Sequence, residues 1–275
     1  MNITQALQLA RTLALDGLEA HTWLLHVTNQ PRHDRAWLLT HEQHALSAEQ
    51  AARFKQGLQR LQQGEPLAYL VGIQAFHGLD LQVTPAVLVP RADTETLVDW
   101  ALSLPLPNTG VSVLDLGTGS GAIALAVKYH RPTWTVHAVD QSAPALQVAQ
   151  ANANRLRLDV QFSQSNWLQS VNGEFDLILA NPPYIAEGDP HLPGLVHEPI
   201  SALVSGPQGL NDLQTIADQA RAHLKPGAWL LLEHGYNQAK AVCQILKQKG
   251  YTDVQSRKDL AGIVRCSGGQ RAEVK

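Results

Sequence analysis

An amide, two prolines and a phenol follow one another in Asn181-Pro182-Pro183-Tyr184, directly after the apolar run Phe175-Asp176-Leu177-Ile178-Leu179-Ala180. The prolines fix φ and stop the strand that such a run would form. What remains is a rigid corner with two acceptors, the Asn181 side-chain oxygen and the Pro182 backbone carbonyl. Pro183 lacks an N–H and cannot engage that carbonyl in a turn. Two such acceptors can bind both N–H bonds of an amide or amino nitrogen and aim its lone pair. Their grip tightens as positive charge develops on the nitrogen, so the corner suits a nitrogen acting as nucleophile. Tyr184 offers a flat surface for a planar amide or base. No strong general base is needed beforehand, because such a nitrogen turns acidic only once alkylated and water can then take the proton.

A second group of residues suits the partner in such a reaction. Asp115-Leu116-Gly117-Thr118-Gly119-Ser120-Gly121 stands where a strand gives way to a helix from Ala122 to Tyr129. Glycines there let the backbone turn sharply and approach a ligand, and the helix start offers free N–H groups. The spacing Gly117-x-Gly119-x-x-Ala122 also fits a dinucleotide, so on its own it leaves NAD open. Asp140, ending the next strand, can accept from both ribose hydroxyls of an adenosine. Asp115 tilts the choice toward S-adenosylmethionine, whose ammonium it would attract, whereas a pyrophosphate would be repelled. In an open parallel sheet the carboxyl ends of the strands line one crevice, where Gly117, Asp140 and Asn181 should converge. Trp167, in the polar loop SNWLQS, is expected to stack on the adenine.

Positioning these groups requires a sheet. Short apolar runs at 111–117, 135–140, 160–162, 175–180 and 228–235, most separated by helical stretches, predict an α/β fold with a parallel sheet covered on both faces. A last strand is expected at Ile263 to Cys266. Ahead of the sheet, residues 1–66 have helical periodicity, with a capping box at Ser47-Ala48-Glu49-Gln50 opening a helix that ends at Gly64. Residues 67–90 read as a β-hairpin linker to a catalytic domain over 91–275.

The 275 residues carry a net charge of −3 with a pI near 6.4, which argues against holding nucleic acid by phosphate neutralisation. The chain start has no basic segment ahead of an apolar core, and no run nears the roughly 18 apolar residues of a membrane span, so a cytoplasmic protein is expected. Cys243 and Cys266 make no disulfide framework, and the 12 histidines lack ligand spacing, so no metal is expected. A monomer is the default.

On these residues the chain resembles class I S-adenosylmethionine-dependent methyltransferases, and more narrowly the bacterial release-factor glutamine methyltransferases. The resemblance runs over nearly the whole chain, through the N-terminal helices, GEPLAYLVG, LVPRADTETLV, DLGTGSGAIALA, SNW, NPPYI and His197-Glu198-Pro199. Family members commonly read PRPxTE where this chain has Pro90-Arg91-Ala92-Asp93-Thr94-Glu95; it loses one proline and keeps Arg91, Thr94 and Glu95. The resemblance implies a Rossmann-like methyltransferase sheet with a small N-terminal helical bundle joined by a β-hairpin. It implies S-adenosyl-L-methionine held by Gly117, Thr118, Gly119, Ser120, Gly121, Asp140, Trp167 and Asn181, with a glutamine seated on Asn181-Pro182-Pro183-Tyr184. The substrate it implies is the GGQ glutamine of peptide-chain release factors, methylated at N5, with residues 1–66 docking the factor. Read without the resemblance, the residues reach only an amide or amino nitrogen methyltransferase. DNA adenine-N6, rRNA guanine methylation and a noncatalytic translation-factor binder stay open at that level. Arg91 either touches substrate or braces the hairpin. Ser267-Gly268-Gly269-Gln270-Arg271 contains the same GGQ tripeptide, but a three-residue match beyond the last expected strand gives little reason to expect modification of Gln270.

Overall fold

The computed structural model describes residues 1–273, which form two compact units, Met1–Ile73 with Gly194–His197, and Gln74–Pro193 with the chain from Glu198 onward. The first is helical: α1 (Ile3–Thr12), α2 (Gly17–Val27), α3 (Arg35–Thr40), α4 (Ala48–Gln62) and α5 (Leu67–Val71). The expected capping box is present, with Ser47 Oγ accepting from Gln50 N–H at 3.1 Å and the Gln50 side chain accepting from Ser47 N–H at 3.0 Å. A second box, Asn2 with Gln5, opens α1. Ile3, Leu24, Leu25, Phe54 and Leu58 are fully buried in this unit's core. Its tightest approach is between α2 and α4. Trp23 Nε1 donates to the Phe54 carbonyl at 3.1 Å, and a Cβ on Gly57 would lie 2.1 Å from that nitrogen.

In the second unit a hairpin of β1 (Ile73–Phe76) and β2 (Leu79–Gln82) precedes α6 (Ala92–Ser103), β3 (Ser112–Leu116), α7 (Ala122–His130), β4 (Thr135–Asp140) and α8 (Ala143–Leu156). Then come β5 (Gln161–Gln164), β6 (Phe175–Ala180), α9 (Asn211–His223), β7 (Leu224–Glu233), α10 (Ala239–Gln248), β8 (Tyr251–Lys258) and β9 (Val264–Arg271). Phe76, Leu79 and Leu81 of the hairpin pack into this unit's core with Leu97, Leu125 and Trp134.

The sheet runs in the order β5-β4-β3-β6-β7-β9-β8. Strands β3 to β7 pair in parallel, and β9 lies antiparallel between β7 and β8. Side chains alternate faces along each strand. Val113, Leu177, Leu179 and Leu231 meet α6 and α7, whereas Leu114, Ile178, Leu230 and Leu232 meet α9 and α10. The chain leaves β3 toward β4 on one side and returns to β6 on the other. The crevice opens at that reversal, beyond the carboxyl ends of the strands.

Two strands differ from the sequence expectation. β8 is an edge strand of mostly polar residues, YTDVQSRK, with no apolar run to betray it. β9 extends through Ser267-Gly268-Gly269-Gln270, because a Cβ on Gly268 would come within 2.5 Å of Leu231 Cδ2 and one on Gly269 within 2.9 Å of Tyr251 Cβ. The glycines let three strands close up. Gln270 pairs with Trp229 in the middle of β7, and Trp229 pairs in turn with Leu177 of β6.

Candidate active site

The glycine loop is shaped from beneath. Gly117, Gly119 and Gly121 have φ of 70°, 56° and 85°, a region costly for any residue with a Cβ. Gly117 and Thr118 N–H both donate to the Val139 carbonyl, at 2.8 and 3.0 Å, which ties the loop to the end of β4. Asp115 is fully buried below it, with Oδ2 accepting from Thr118 Oγ1 at 2.6 Å and from Ala124 N–H at 3.3 Å. Its Oδ1 has no hydrogen-bond partner among the described residues. Burial pushes this carboxyl up to about 7, against the pull of its Thr118 and Ala124 bonds.

Asp140 bridges the loop and the next helix: Oδ2 accepts from Gly119 N–H at 2.9 Å and Oδ1 from Ser142 N–H at 2.8 Å. Burial raises its pKa, and these backbone bonds oppose the rise. Each oxygen keeps a further lone pair for a ligand. Trp167, at φ 49°, has its indole N–H fixed by Asp212 Oδ1 at 2.9 Å, and its ring edge lies 3.1 Å from where a Gly117 Cβ would be. A side chain at position 117 would collide with that ring.

On the other wall Asn181 donates through Nδ2 to Thr94 Oγ1 at 3.1 Å, which leaves its Oδ1 as the free end of the amide. Among the described residues no hydrogen bond ends on the Pro182 carbonyl. Behind the prolines the chain is anchored by Gln238 Nε2, which donates to the Tyr184 carbonyl at 3.0 Å, and by Ile185 N–H, which donates to the Leu203 carbonyl at 2.9 Å. Tyr184 turns inward, its hydroxyl donating to Glu233 Oε1 at 3.3 Å, and burial raises its pKa. Glu233 is buried, and desolvation pushes its carboxyl up to about 7.

One cleft of about 970 Å³, counting the part open to solvent, joins these walls, a size within the usual range for small-ligand sites. Of the residues singled out from sequence, Gly117, Thr118, Gly119, Ser120, Asp140, Trp167, Asn181 and Pro183 line it together. Asp115, Gly121, Pro182 and Tyr184 are not among the residues that line it. Gly121 serves as the left-handed cap of α7, where a Cβ would meet Leu125 Cδ1 at 2.9 Å. Sequence reasoning missed Gln141 and Ser142 after β4, Ser165 and Asn166 beside Trp167, and Val87, Thr94 and Ile123. Arg91 also lines the cleft, paired with Glu198, which accepts from Val89 N–H at 3.0 Å as well. That pairing ties the start of α6 to the segment after the corner. The repeated polar residues just past β4 and β5 were the signal that could have drawn attention to the missed residues.

Residues 97–206 match the family described as "Methyltransferase small domain", and residues 2–72 match the "PrmC N-terminal domain". A "Release factor glutamine methyltransferase" from Xylella fastidiosa is 45% identical over 269 residues, covering 96% of this chain and 97% of its own. The chain belongs to the release factor glutamine methyltransferase family. A second member of the release factor glutamine methyltransferase family, from Shewanella oneidensis, is 45% identical over 267 residues, 96% of this chain and 92% of that protein. Among solved structures, a methyltransferase from Pyrococcus furiosus aligns with a TM-score of 0.57 at 21% identity, over 79% of this chain and 99% of that one, a likeness of fold.

Methyltransferases of this class use S-adenosyl-L-methionine, and the chemistry of the cleft fits it. The glycine loop allows close backbone approach. The buried, unpaired Asp115 Oδ1 gives the loop a negative underside suited to an ammonium group. Asp140 keeps lone pairs for ribose hydroxyls, and Trp167 presents a flat aromatic wall.

Proposed function

We propose that this chain methylates the side-chain amide nitrogen, N5, of the glutamine in the GGQ motif of peptide-chain release factors. Bound S-adenosyl-L-methionine would supply an electrophilic methyl on a sulfonium. The observation that carries the reading is the Asn181 amide: Thr94 holds its nitrogen, and its oxygen is left to accept. Asn181 Oδ1 and the Pro182 carbonyl would take the two N–H bonds of the glutamine amide and hold the nitrogen lone pair in line. Positive charge building on the nitrogen strengthens both bonds, which lowers the barrier specifically in the transition state. The proton released after transfer goes to water, since the acceptors are neutral groups.

Gly117 to Ser120, Asp140, Trp167 and Asn181 would hold the cofactor. Asp115 and Gly121 would act from behind by shaping the loop. Pro183 would form part of the glutamine seat, with Tyr184 supporting it from within. The helical domain over residues 1–66 would dock the release factor, residues 67–90, which hold α5 and the β1–β2 hairpin, would join it, and residues 91–275 would carry catalysis. The net charge of −3 supports a protein substrate over nucleic acid. The protein would act as a monomer in the cytoplasm; among the described residues no helix is long and apolar enough to cross a membrane.

The test incubates the protein with radiolabelled S-adenosyl-L-methionine and, separately, a release factor, its GGQ Gln→Ala variant, duplex DNA and ribosomal RNA. Label should enter the intact release factor alone. Label in DNA or RNA and none in the release factor would sink the reading.

A further inference from the structure

Beneath the glycine loop, one face of α8 runs from the cleft to the hairpin. Ala145 lines the cleft, and a Cβ on Gly121 would lie 3.3 Å from Ala149 Cβ. Asn152 comes next on that face, since steps of four and three residues return to one side of a helix. It is fully buried, and both its amide protons and its oxygen are engaged. Oδ1 accepts from Gln82 N–H at 2.7 Å, while Nδ2 donates to the Gln82 carbonyl and to the Ser120 carbonyl, both at 2.9 Å.

These bonds join two sides of the cleft. Ser120 belongs to the glycine loop and lines the cleft. Gln82 ends β2, and the chain runs on from it to Ala86, Val87 and Leu88, which line the cleft as well. That stretch is ordered: Val87 N–H donates to the Thr84 carbonyl at 3.1 Å, and Val83, Val87 and Val89 are buried. Only an amide suits the junction. An aspartate has no protons for the two carbonyls, and a leucine of similar size would leave the Gln82 N–H and both carbonyls without this partner.

We propose that Asn152 is a positioning residue for the cofactor: by gripping Gln82 and Ser120 at once, it sets the 83–91 segment and the glycine loop at the separation that S-adenosyl-L-methionine requires before the ligand arrives. A ligand entering a cleft already set keeps its full contact energy. One that must first gather two loose edges loses affinity in proportion to the time they spend apart. Asn152 is not among the residues that line the cleft, so it acts only through the backbone groups it holds. The acceptor corner stands on the other wall, and transfer from bound cofactor should not depend on Asn152. The inference rests on this cleft being the cofactor site and not on which nitrogen is methylated.

The experiment uses the full chain, with S-adenosylhomocysteine affinity measured by calorimetry and amide hydrogen exchange followed with and without that ligand. Asn152→Ala should weaken affinity about 10-fold, as when the binding-competent arrangement falls to about a tenth of the population. Exchange in the unliganded variant should quicken over residues 83–91 and 117–121 and keep its wild-type rate in α9. Turnover on a release factor at saturating cofactor should stay within about twofold, so the change appears in KM for the cofactor and not in kcat. Asn152→Asp should lose at least as much affinity, because its oxygens do not replace the two donated protons. Tyr251→Phe serves as the stability control. It removes the hydroxyl that donates to the Ala217 carbonyl at 3.0 Å, and it should lower Tm without changing affinity. Wild-type affinity in both Asn152 variants would overturn the inference, with or without a loss of kcat. So would weaker affinity in Asn152→Ala without faster exchange over residues 83–91, or an equal loss of affinity in Tyr251→Phe. If neither Asn152 variant folds, the wild type decides: slow exchange of the Gln82 N–H without ligand supports the inference, and exchange that slows only on binding overturns it. Normal affinity in Asp140→Ala would remove the cofactor cleft itself, whereas weakened affinity there beside wild-type affinity in Asn152→Ala removes this inference alone.

Discussion

Asp115 and Glu233 are both buried carboxyls pushed up to about 7 by desolvation, and each keeps one oxygen without a hydrogen-bond partner among the described residues, yet they serve opposite walls of the cleft. The partners of Asp115 are local, Thr118 and Ala124, three and nine residues along the same loop and helix. Glu233 takes its partner from a distant segment, the hydroxyl of Tyr184, 49 residues away. The first carboxyl shapes a loop; the second ties the end of β7 to the segment that follows the Asn181 corner. A buried carboxyl costs stability unless something uses it, and two different uses follow from these two sets of neighbours. One wall would hold the nucleotide, and the other would align the nucleophile.

If the walls divide the work in this way, substitutions should separate affinity from turnover. The largest effect is expected for Asn181→Ala, which removes an aligned acceptor and should cut kcat by about 10² to 10³. Its S-adenosylhomocysteine affinity, measured by calorimetry, should fall by much less than turnover, because the glycine loop, Asp140 and Trp167 remain to hold the cofactor. Asp140→Ala on the opposite wall should weaken that affinity about 10- to 100-fold, the worth of one or two hydrogen bonds to a charged group, while kcat at saturating cofactor changes little. An Asp140→Ala that lost kcat instead would erase the division.

Asp115→Asn keeps the shape and removes the charge, so a smaller loss of affinity, several-fold, is expected without a change in kcat. The same variant isolates the smallest effect, on stability. Asp115 has an ordinary pKa of 3.8 and a folded value of about 7, so between these the folded state holds a proton that the unfolded state has released. Its contribution to stability is therefore present below about pH 4 and is lost as the pH rises through about 7. Urea midpoints should show the wild type gaining on Asp115→Asn as the pH falls from 8 to 5, and an unchanged gap would place the Asp115 proton elsewhere.

What the sequence made legible follows the same contrast. The glycine loop, Asp140 and the Asn181 corner declare themselves within a few residues of a strand end, because backbone turns and strand stops have local signatures. The partner of Asn181 declares nothing, since Thr94 sits mid-motif in α6 and is brought to Asn181 only by sheet and helix packing. Arg91 was ambiguous for the same reason, its partner Glu198 being 107 residues away. Tyr184 looked like an exposed platform from sequence, and the acidic group that draws its hydroxyl inward lies on another strand. The edge strand β8 stayed hidden because half-exposed strands need no apolar run.

The paired glycines of β9 place the tripeptide Gly268-Gly269-Gln270 inside the protein that is proposed to modify that tripeptide. Gly268 and Gln270 are paired on both sides, to β7 and to β8, and Gly269 is paired to β7. A target glutamine must reach the cleft on backbone free to bend into it, and Gln270 is held straight. Modification of Gln270 would first require β9 to come out of the sheet, so mass spectrometry after incubation with cofactor is expected to find it unmodified.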